Sequence, residues 1–209
     1  MNPVVLQSEP AVAHLLSILR DERTSPAEFA ERTDILAGLV IAEALSEAPS
    51  ESIEIATPLE SVRVRRIIED KVIAVPILRA GLGMERAFLR LLPGAAVYHI
   101  GLRRDEKTFA PHYYYDSFPR ELTGKTAYVL DPMLATGGSA VATVRRLVEL
   151  RPRNIVYCGI IGAPDGVSRL SLEFPQVRIF LAALDSHLDD NAYIRPGLGD
   201  AGDRYFGTL

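Results

Sequence analysis

Tyr128-Val129-Leu130-Asp131-Pro132-Met133-Leu134-Ala135-Thr136-Gly137-Gly138-Ser139-Ala140 is the stretch on which the fold turns. An apolar run ends in an acid, passes through a loop of small residues and enters the helical spacing of Val141, Val144, Leu147 and Val148. That order spells buried strand, turn, helix. The loop from Ala135 to Ser139 can turn successive backbone N–H groups inward as an anion nest. The helix behind it adds its positive N-terminal end, and Thr136 and Ser139 add hydroxyl donors. Such a loop suits a phosphate monoester. Asp131, at the strand end, stands where a carboxylate can accept hydrogen bonds from the hydroxyls of a ribose carrying that phosphate. A plain glycine-rich connection would share the outline, but not the agreement of acid, Thr-Gly-Gly-Ser and flanking periodicities.

Working outward, Val72 to Leu78 is continuously apolar, and Ala95 to Ile100, Ala127 to Leu130, Ile155 to Ile161 and Val177 to Leu184 are similar. Strands apolar on both faces belong in a parallel sheet covered by helices. Helical spacing lies between them at Met84, Ala87, Phe88 and Leu91, at Val141 to Val148, and over about Val167 to Leu172. The expected fold is therefore α/β, a parallel sheet flanked by helices with right-handed crossovers. Its ligand sites belong at the carboxyl ends of the strands, in the loops after Leu78, Ile100, Leu130, Ile161 and Leu184.

Two helices are expected before this core. One runs over about Ala11 to Leu19. The other starts with Ser25 as cap, Pro26 in the first turn and Glu28 completing a capping box. The second helix's apolar stripe is read as Phe29, Ile35, Leu36, Leu39, Val40 and Leu45. Ser52-Ile53-Glu54-Ile55 and the Val62/Val64 pair suggest an antiparallel hairpin at the edge of something larger. The segment from Asp185 to Leu209 reads as largely irregular but ordered. One domain is expected over 1–209: N-terminal helices in 1–69, core at about 70–184, and a closing segment at 185–209.

Bulk properties narrow the function. The chain has 209 residues and a formal net charge of −4, which argues against a general nucleic-acid binder. The one cysteine, Cys158, sits in an apolar run and reads as a buried hydrophobe. No run approaches the ~18 apolar residues that span a bilayer, and the N-terminus lacks a basic, then apolar, export pattern. A soluble, cytoplasmic protein is expected. His14, His99, His112 and His187 show no metal spacing, and His187 among Asp185, Asp189 and Asp190 reads as a solvated acidic loop. Gly124-Lys125-Thr126 is no Walker motif, because Pro119 holds the required glycine position and a strand follows. Gly81-x-Gly83 is no dinucleotide fingerprint, because Arg86 replaces the third glycine.

Strand–Asp131–x4–Thr136-Gly137-Gly138-Ser139 resembles the phosphoribosyl pyrophosphate (PRPP) motif of type I phosphoribosyltransferases. Most members carry two adjacent acids there; Asp131-Pro132 is instead the pattern of the uracil-specific branch. The resemblance continues through Pro76 to Met84, Ile100-Gly101-Leu102 with Arg104-Asp105, Ala183-Leu184-Asp185, Tyr193-Ile194, Pro196 to Arg204 and Phe206-Gly207-Thr208. It implies transfer of phosphoribose from PRPP to uracil, giving UMP and pyrophosphate in pyrimidine salvage. It also implies a hood over the core, formed by the terminal segments and the edge hairpin.

Residue by residue, the resemblance assigns PRPP binding to Arg79, Arg104, Asp131, Pro132, Met133, Leu134, Ala135, Thr136, Gly137, Gly138, Ser139 and Asp200. Arg104 belongs to a mobile lid over Arg103 to Lys107, whose basic character suits a bound polyphosphate. Tyr113, Tyr114 and Tyr115 read either as lid contacts or as half-buried strand residues. Arg79, beside the small residues Ala80, Gly81 and Gly83, suits a pyrophosphate approached closely by backbone. Ile194, Gly199, Asp200 and Ala201 are implied to line uracil, whose two carbonyls and imide can be matched by backbone groups alone. Asp131, Asp200 and Arg104 are the candidate catalytic residues, with Asp200 drawing off the ring proton. Arg195, which departs from the family's small apolar residue, is expected to point outward because Ile194 is the inward neighbour.

Mg²⁺ is the implied cofactor, held mainly by PRPP with no protein-only metal site. A homodimer or larger homo-oligomer is implied, with the hairpin near Ile53 to Val64 as a candidate surface. GTP activates some relatives; Arg63, Arg65 and Arg66 form a basic cluster that reads equally as a solvated strand face. No membrane or nucleic-acid partner is expected. Two rivals stand beside the enzyme: an RNA-binding regulator of pyrimidine genes on the same fold, and a phosphoribosyltransferase for another base.

Overall fold

The computed structural model describes residues 2–104 and 111–208. A short strand β1 (Val4–Val5) leads into helix α1 (Pro10–Arg20) and helix α2 (Pro26–Ala44). Ser25 caps α2 by accepting from the Glu28 amide at 3.3 Å, and each helix carries proline in its first turn. The buried face of α2 is Phe29, Thr33, Leu36, Ala37, Val40, Ile41 and Ala44. Ile35 and Leu39, expected inside, are 42% and 38% exposed. They sit off the face that 29, 33, 36/37, 40/41 and 44 define. Asp34 is buried in their stead. The Tyr205 hydroxyl donates to its carboxylate at 3.1 Å, and Arg86 and Arg90 lie 3.6 Å from it.

Strands β2 (Ser50–Ala56) and β3 (Ser61–Ile67) form the expected antiparallel hairpin, but as a separate two-stranded sheet. Its register pairs Glu54 with Arg63, Ser52 with Arg65 and Glu51 with Arg66, so the arginine cluster faces acids and a serine across the hairpin.

The core follows as β4 (Val72–Leu78), α3 (Leu82–Leu91), β5 (Ala96–Val97), β6 (Ile100–Arg104), β7 (Pro111–Asp116), β8 (Thr126–Leu130) and β9 (Met133–Leu134). It continues with α4 (Gly138–Glu149), β10 (Asn154–Gly162), α5 (Pro164–Glu173) and β11 (Arg178–Leu184). Two short strands, β12 (His187–Leu188) and β13 (Ile194–Arg195), and the helix α6 (Ala201–Phe206) complete the chain. The expected strand over Ala95 to Ile100 is broken in two. At the break the His99 amide donates to the Ser117 hydroxyl at 2.9 Å instead of a ladder carbonyl, and its ring meets Glu85 at 2.8 Å. The expected irregular segment after Asp185 holds a small ladder and a capped helix. Tyr113, Tyr114 and Tyr115 are strand residues of β7, and the Tyr113 hydroxyl donates to the Ala142 carbonyl on α4.

The main sheet runs β1-β11-β10-β8-β4-β6-β7. All pairings on this path are parallel except β6 with β7. Along β4, Val72 and Ala74 pack on the α1–α2–α3 side, while Ile73, Val75 and Ile77 pack on the side of α4 and α5. Tyr128 and Leu130 of β8 divide from Ala127 and Val129 in the same way. This two-sided burial is why these strands are apolar at every position. Cys158 lies fully buried in β10, and burial pushes its thiol pKa up, away from nucleophilic use. Among the described residues, no helix is long and apolar enough to cross a membrane.

From β4 the chain passes through α3 to β6 on one side; from β8 it passes through α4 to β10 on the other. Neighbouring strands whose connections diverge open a crevice at their carboxyl ends. Arg79 follows β4 and Asp131 follows β8, so the two flank that crevice.

Candidate active site

A cleft of about 530 Å³ occupies the crevice, walled on the far side by residues 191–194 and 199–202. Of the residues singled out from sequence, Arg79, Asp131, Met133, Ala135, Ser139, Ile194, Gly199, Asp200 and Ala201 line it. Pro132, Leu134, Thr136, Gly137 and Gly138 are not lining residues; they shape the loop. The Pro132 carbonyl accepts from Ile160 and Ile161 at 3.1 and 3.0 Å, and the Leu134 carbonyl from Ala163 at 2.9 Å. Gly137 has φ +75°, a left-handed turn that glycine adopts readily, and the Thr136 hydroxyl accepts from the Gly138 amide at 3.5 Å. Helix α4 then begins beneath the cleft, its first turn carrying Ser139. Arg104 ends β6. Its side chain, that of Arg103, and all of Asp105, Glu106 and Lys107 lie outside the described residues, as does the lid expected there.

Asp131 is held by its backbone. Its amide donates to Cys158 at 3.2 Å, and the fully buried Tyr157 hydroxyl donates to its carbonyl at 3.1 Å. Desolvation, and secondarily the Asp131 charge, raise the Tyr157 pKa well above normal, so this donor keeps its proton. The carboxylate accepts from the Met133 amide at 3.4 Å and is left at the cleft wall with the residue nine-tenths buried.

Arg79 follows a cis Leu78–Arg79 peptide. Its guanidinium lies 3.2 Å from Asp203 and 5.8 Å from the Phe206 ring centroid, joining the end of β4 to α6. The glycines after it are closely packed by the rest of the fold. A Cβ on Gly81 would lie 2.4 Å from the Leu130 carbonyl oxygen and 2.6 Å from the Ile77 nitrogen. One on Gly83 would meet the Tyr205 ring at 2.9 Å.

On the far wall, Ile194, Leu198 and Ala201 are buried. Gly199 has φ +72°, and Asp200 caps α6 by accepting from the Asp203 amide at 2.9 Å. Arg195 points away: its guanidinium contacts Asp189 at 2.5 and 2.8 Å, and its side chain is 57% exposed. Backbone donation from Tyr193, with help from Arg195, lowers the Asp189 pKa. Arg195→Ala should therefore leave the order of base preference unchanged, measured as relative kcat/KM across a panel of bases. His187 bonds to Ser186 at 2.8 Å, and among the described residues no three His, Cys, Asp or Glu side chains cluster as a metal site.

Sequence reasoning missed residues that support the loop from Ala135 to Ser139 from outside. Gly166, in the first turn of α5, sits so close that a Cβ would lie 2.5 Å from the Ala135 carbonyl oxygen. Arg169 donates to the Thr136 carbonyl at 3.4 Å. The helix start Ala163-Pro164-Asp165-Gly166, with glycine where a helix former is expected, was the available signal. Asn191, Ala192 and Tyr193 also line the cleft, and no local pattern marks them.

Among the described residues, a nine-stranded, mostly parallel sheet with a strand–Asp–glycine-loop–helix connection at its switch point gives the architecture of a type I phosphoribosyltransferase. The sequence model of the family described as "Uracil phosphoribosyltransferase" matches residues 5–208. The chain is 47% identical over 208 residues to uracil phosphoribosyltransferase of Symbiobacterium thermophilum, covering all of both chains. It is 43% identical to that of Shouchella clausii, again over the full length of both. Among solved structures it resembles the AQ2163 protein of Aquifex aeolicus, with a TM-score of 0.91, 35% identity and 97% of each chain covered. The chain belongs to the uracil phosphoribosyltransferase family.

Proposed function

We propose that this chain is a cytoplasmic enzyme that transfers phosphoribose from PRPP to uracil, releasing pyrophosphate and UMP. The observation that carries the reading is one cleft with two unlike walls. One is the anion loop with Asp131, and the other is the glycine-rich backbone of 199–202. The first suits a phosphorylated ribose. The second suits a small base recognised by amide and carbonyl groups.

The 5′-phosphate sits in the loop from Ala135 to Ser139 at the start of α4. Asp131 orients the ribose hydroxyls. Arg79 and Arg104 neutralise the pyrophosphate, and for Arg79 this means leaving Asp203. Breaking the bond between the anomeric carbon and pyrophosphate oxygen leaves positive charge on that carbon and the ring oxygen, as in other glycosyl transfers. Uracil's ring nitrogen forms the new bond from the opposite face, inverting configuration. Its proton leaves to Asp200, directly or through water.

The donor set fits a Mg²⁺ ion carried by the substrate. One buried carboxylate, Asp131, faces the cleft, and Pro132 stands where a second acid would be. Bound there with PRPP, the ion would reduce the charge on the leaving pyrophosphate. Assembly into a homodimer or larger oligomer belongs to the same reading. The β2–β3 hairpin, with Leu59 94% and Val62 39% exposed, is the surface assigned to it. GTP activation is tested alongside it, with no site assigned: Arg63, Arg65 and Arg66 of β3 form a basic cluster that reads equally as a solvated strand face.

The test is product formation from PRPP, Mg²⁺ and each of uracil, orotate, hypoxanthine and xanthine, with and without GTP. UMP from uracil alone is expected. Turnover with another base would reassign the substrate. No turnover with any base, while PRPP still binds, would favour a regulatory protein that binds pyrimidine-operon RNA.

A further inference from the structure

Asp185, the first residue after β11, has a side chain only 4% accessible, and nothing in the proposed chemistry uses it. Its two oxygens take a forked arginine, Arg20, at 2.6 and 2.9 Å. Arg20 is the last residue of α1, 165 positions away in sequence. Both members of the pair also grip one residue, Gly197, through its amide and its carbonyl. The Gly197 amide donates to Asp185 Oδ2 at 2.9 Å, and Arg20 Nη1 donates to the Gly197 carbonyl at 2.9 Å. The next carbonyl, of Leu198, accepts from Arg204 at 3.0 Å, and Arg204 is itself stacked 4.3 Å over Phe29. Gly197 has φ +70°, and a Cβ on it would lie 2.0 Å from the Ile194 carbonyl oxygen.

The held residues lie between Ile194 and Gly199, both of which line the cleft. A base read by backbone groups is read only as well as that backbone is placed, and the turn presents no side chain to correct an error. A buried ion pair suits this task, because either partner alone would be left as an uncompensated charge. The fork of Arg20 also sets direction as well as distance.

We infer that Arg20 and Asp185 are positioning residues for base recognition: they set the turn at Pro196–Leu198 and through it the backbone that faces the base. The inference rests on the proposed base-binding role of residues 194–201. It predicts a separation of the two substrates, since the pair's hydrogen bonds run to the turn at Gly197, on the wall of the cleft opposite the loop from Ala135 to Ser139.

Arg20→Ala and Asp185→Asn are to be assayed with each substrate varied in turn. The KM for uracil should rise about tenfold or more, a loss of ~1.4 kcal/mol of binding, while the KM for PRPP stays within about twofold. Guanidinium ion at non-denaturing concentration should restore part of the uracil KM of Arg20→Ala and leave Asp185→Asn unmoved. Should Arg20→Ala not fold, Arg20→Lys keeps the charge, loses the fork and should show the same split on a smaller scale. Equal rises in both KM values, or no change in either, would overturn the inference. Amide hydrogen exchange over residues 194–202 gives a second readout that needs no turnover. Faster exchange there, with the phosphate-loop amides unchanged, is expected in both variants, and unchanged exchange would overturn the inference. Wild-type turnover with uracil checks the underlying function separately.

Discussion

Asp131→Asn lowers kcat/KM for PRPP by about 10- to 150-fold, the range given by losing ~1.5–3 kcal/mol of charged hydrogen bonding. Asparagine has nearly the same shape but presents one acceptor oxygen and an N–H₂ group where the ribose-orienting role proposed for Asp131 uses two acceptor oxygens. The fold should not register the change. The Asp131 amide and carbonyl are held by Cys158 and Tyr157 through backbone and buried hydroxyl, not through the carboxylate. The 3.4 Å bond from the Met133 amide to Oδ1 is one that an asparagine oxygen can keep. Initial rates of UMP formation with PRPP varied check the first part, and a Tm within about 2 °C of wild type checks the second. Unchanged kinetics would reject the ribose-orienting role. A collapse in Tm would show the carboxylate to be structural.

Gly81→Ala is expected to damage stability and activity together. The added methyl has no flexible side chain to displace: its nearest neighbours are the Leu130 oxygen at 2.4 Å and the Ile77 nitrogen and oxygen at 2.6 and 2.7 Å. Overpacking against backbone costs about 1–3 kcal/mol. In a chain of this size that corresponds to a fall in Tm of about 2–12 °C. The strand ends that must part are those carrying Arg79 and Asp131. Relief of the clash therefore moves the two flanks of the cleft, and a shift on the order of 1 Å can cost ~100-fold in rate. Thermal unfolding and UMP formation on the same preparation test it. A wild-type Tm with wild-type activity would show that the turn at Gly81 accommodates a side chain. Gly83→Ala is the milder comparison, because its nearest neighbour is the edge of the Tyr205 ring.

The regular part of the fold was legible because each signal was local and agreed with its neighbours. Continuous apolar runs at 72–78, 127–130, 155–161 and 177–184 became central strands, since both sheet faces are covered. Ser25-Pro26 marked a helix start that the Ser25 hydroxyl does cap. Signals failed where a distant partner outweighed local pattern. Asp34 is drawn inside α2 by Tyr205 and two arginines of α3, while Ile35 and Leu39 face outward. The strand expected over 95–100 is interrupted because Ser117 and Glu85 take the polar groups of His99. The closing segment gained a helix because Asp200 caps it from within the cleft.

By itself, the sequence determined the central strands at 72–78, 127–130, 155–161 and 177–184, the strand–loop–helix connection from Asp131 to Ser139, and membership of the family, all carried by contiguous residues whose chemistry acts over a few bonds. Only the tertiary structure decided that Arg79 rests on Asp203 and Phe206, that Gly81 and Gly166 are spacers between backbones, and that Arg20 holds the turn at Gly197 through Asp185. Each of those outcomes depends on which groups of distant chain segments come into contact. Local propensity does not encode such distances; the packing of helices and strands sets them.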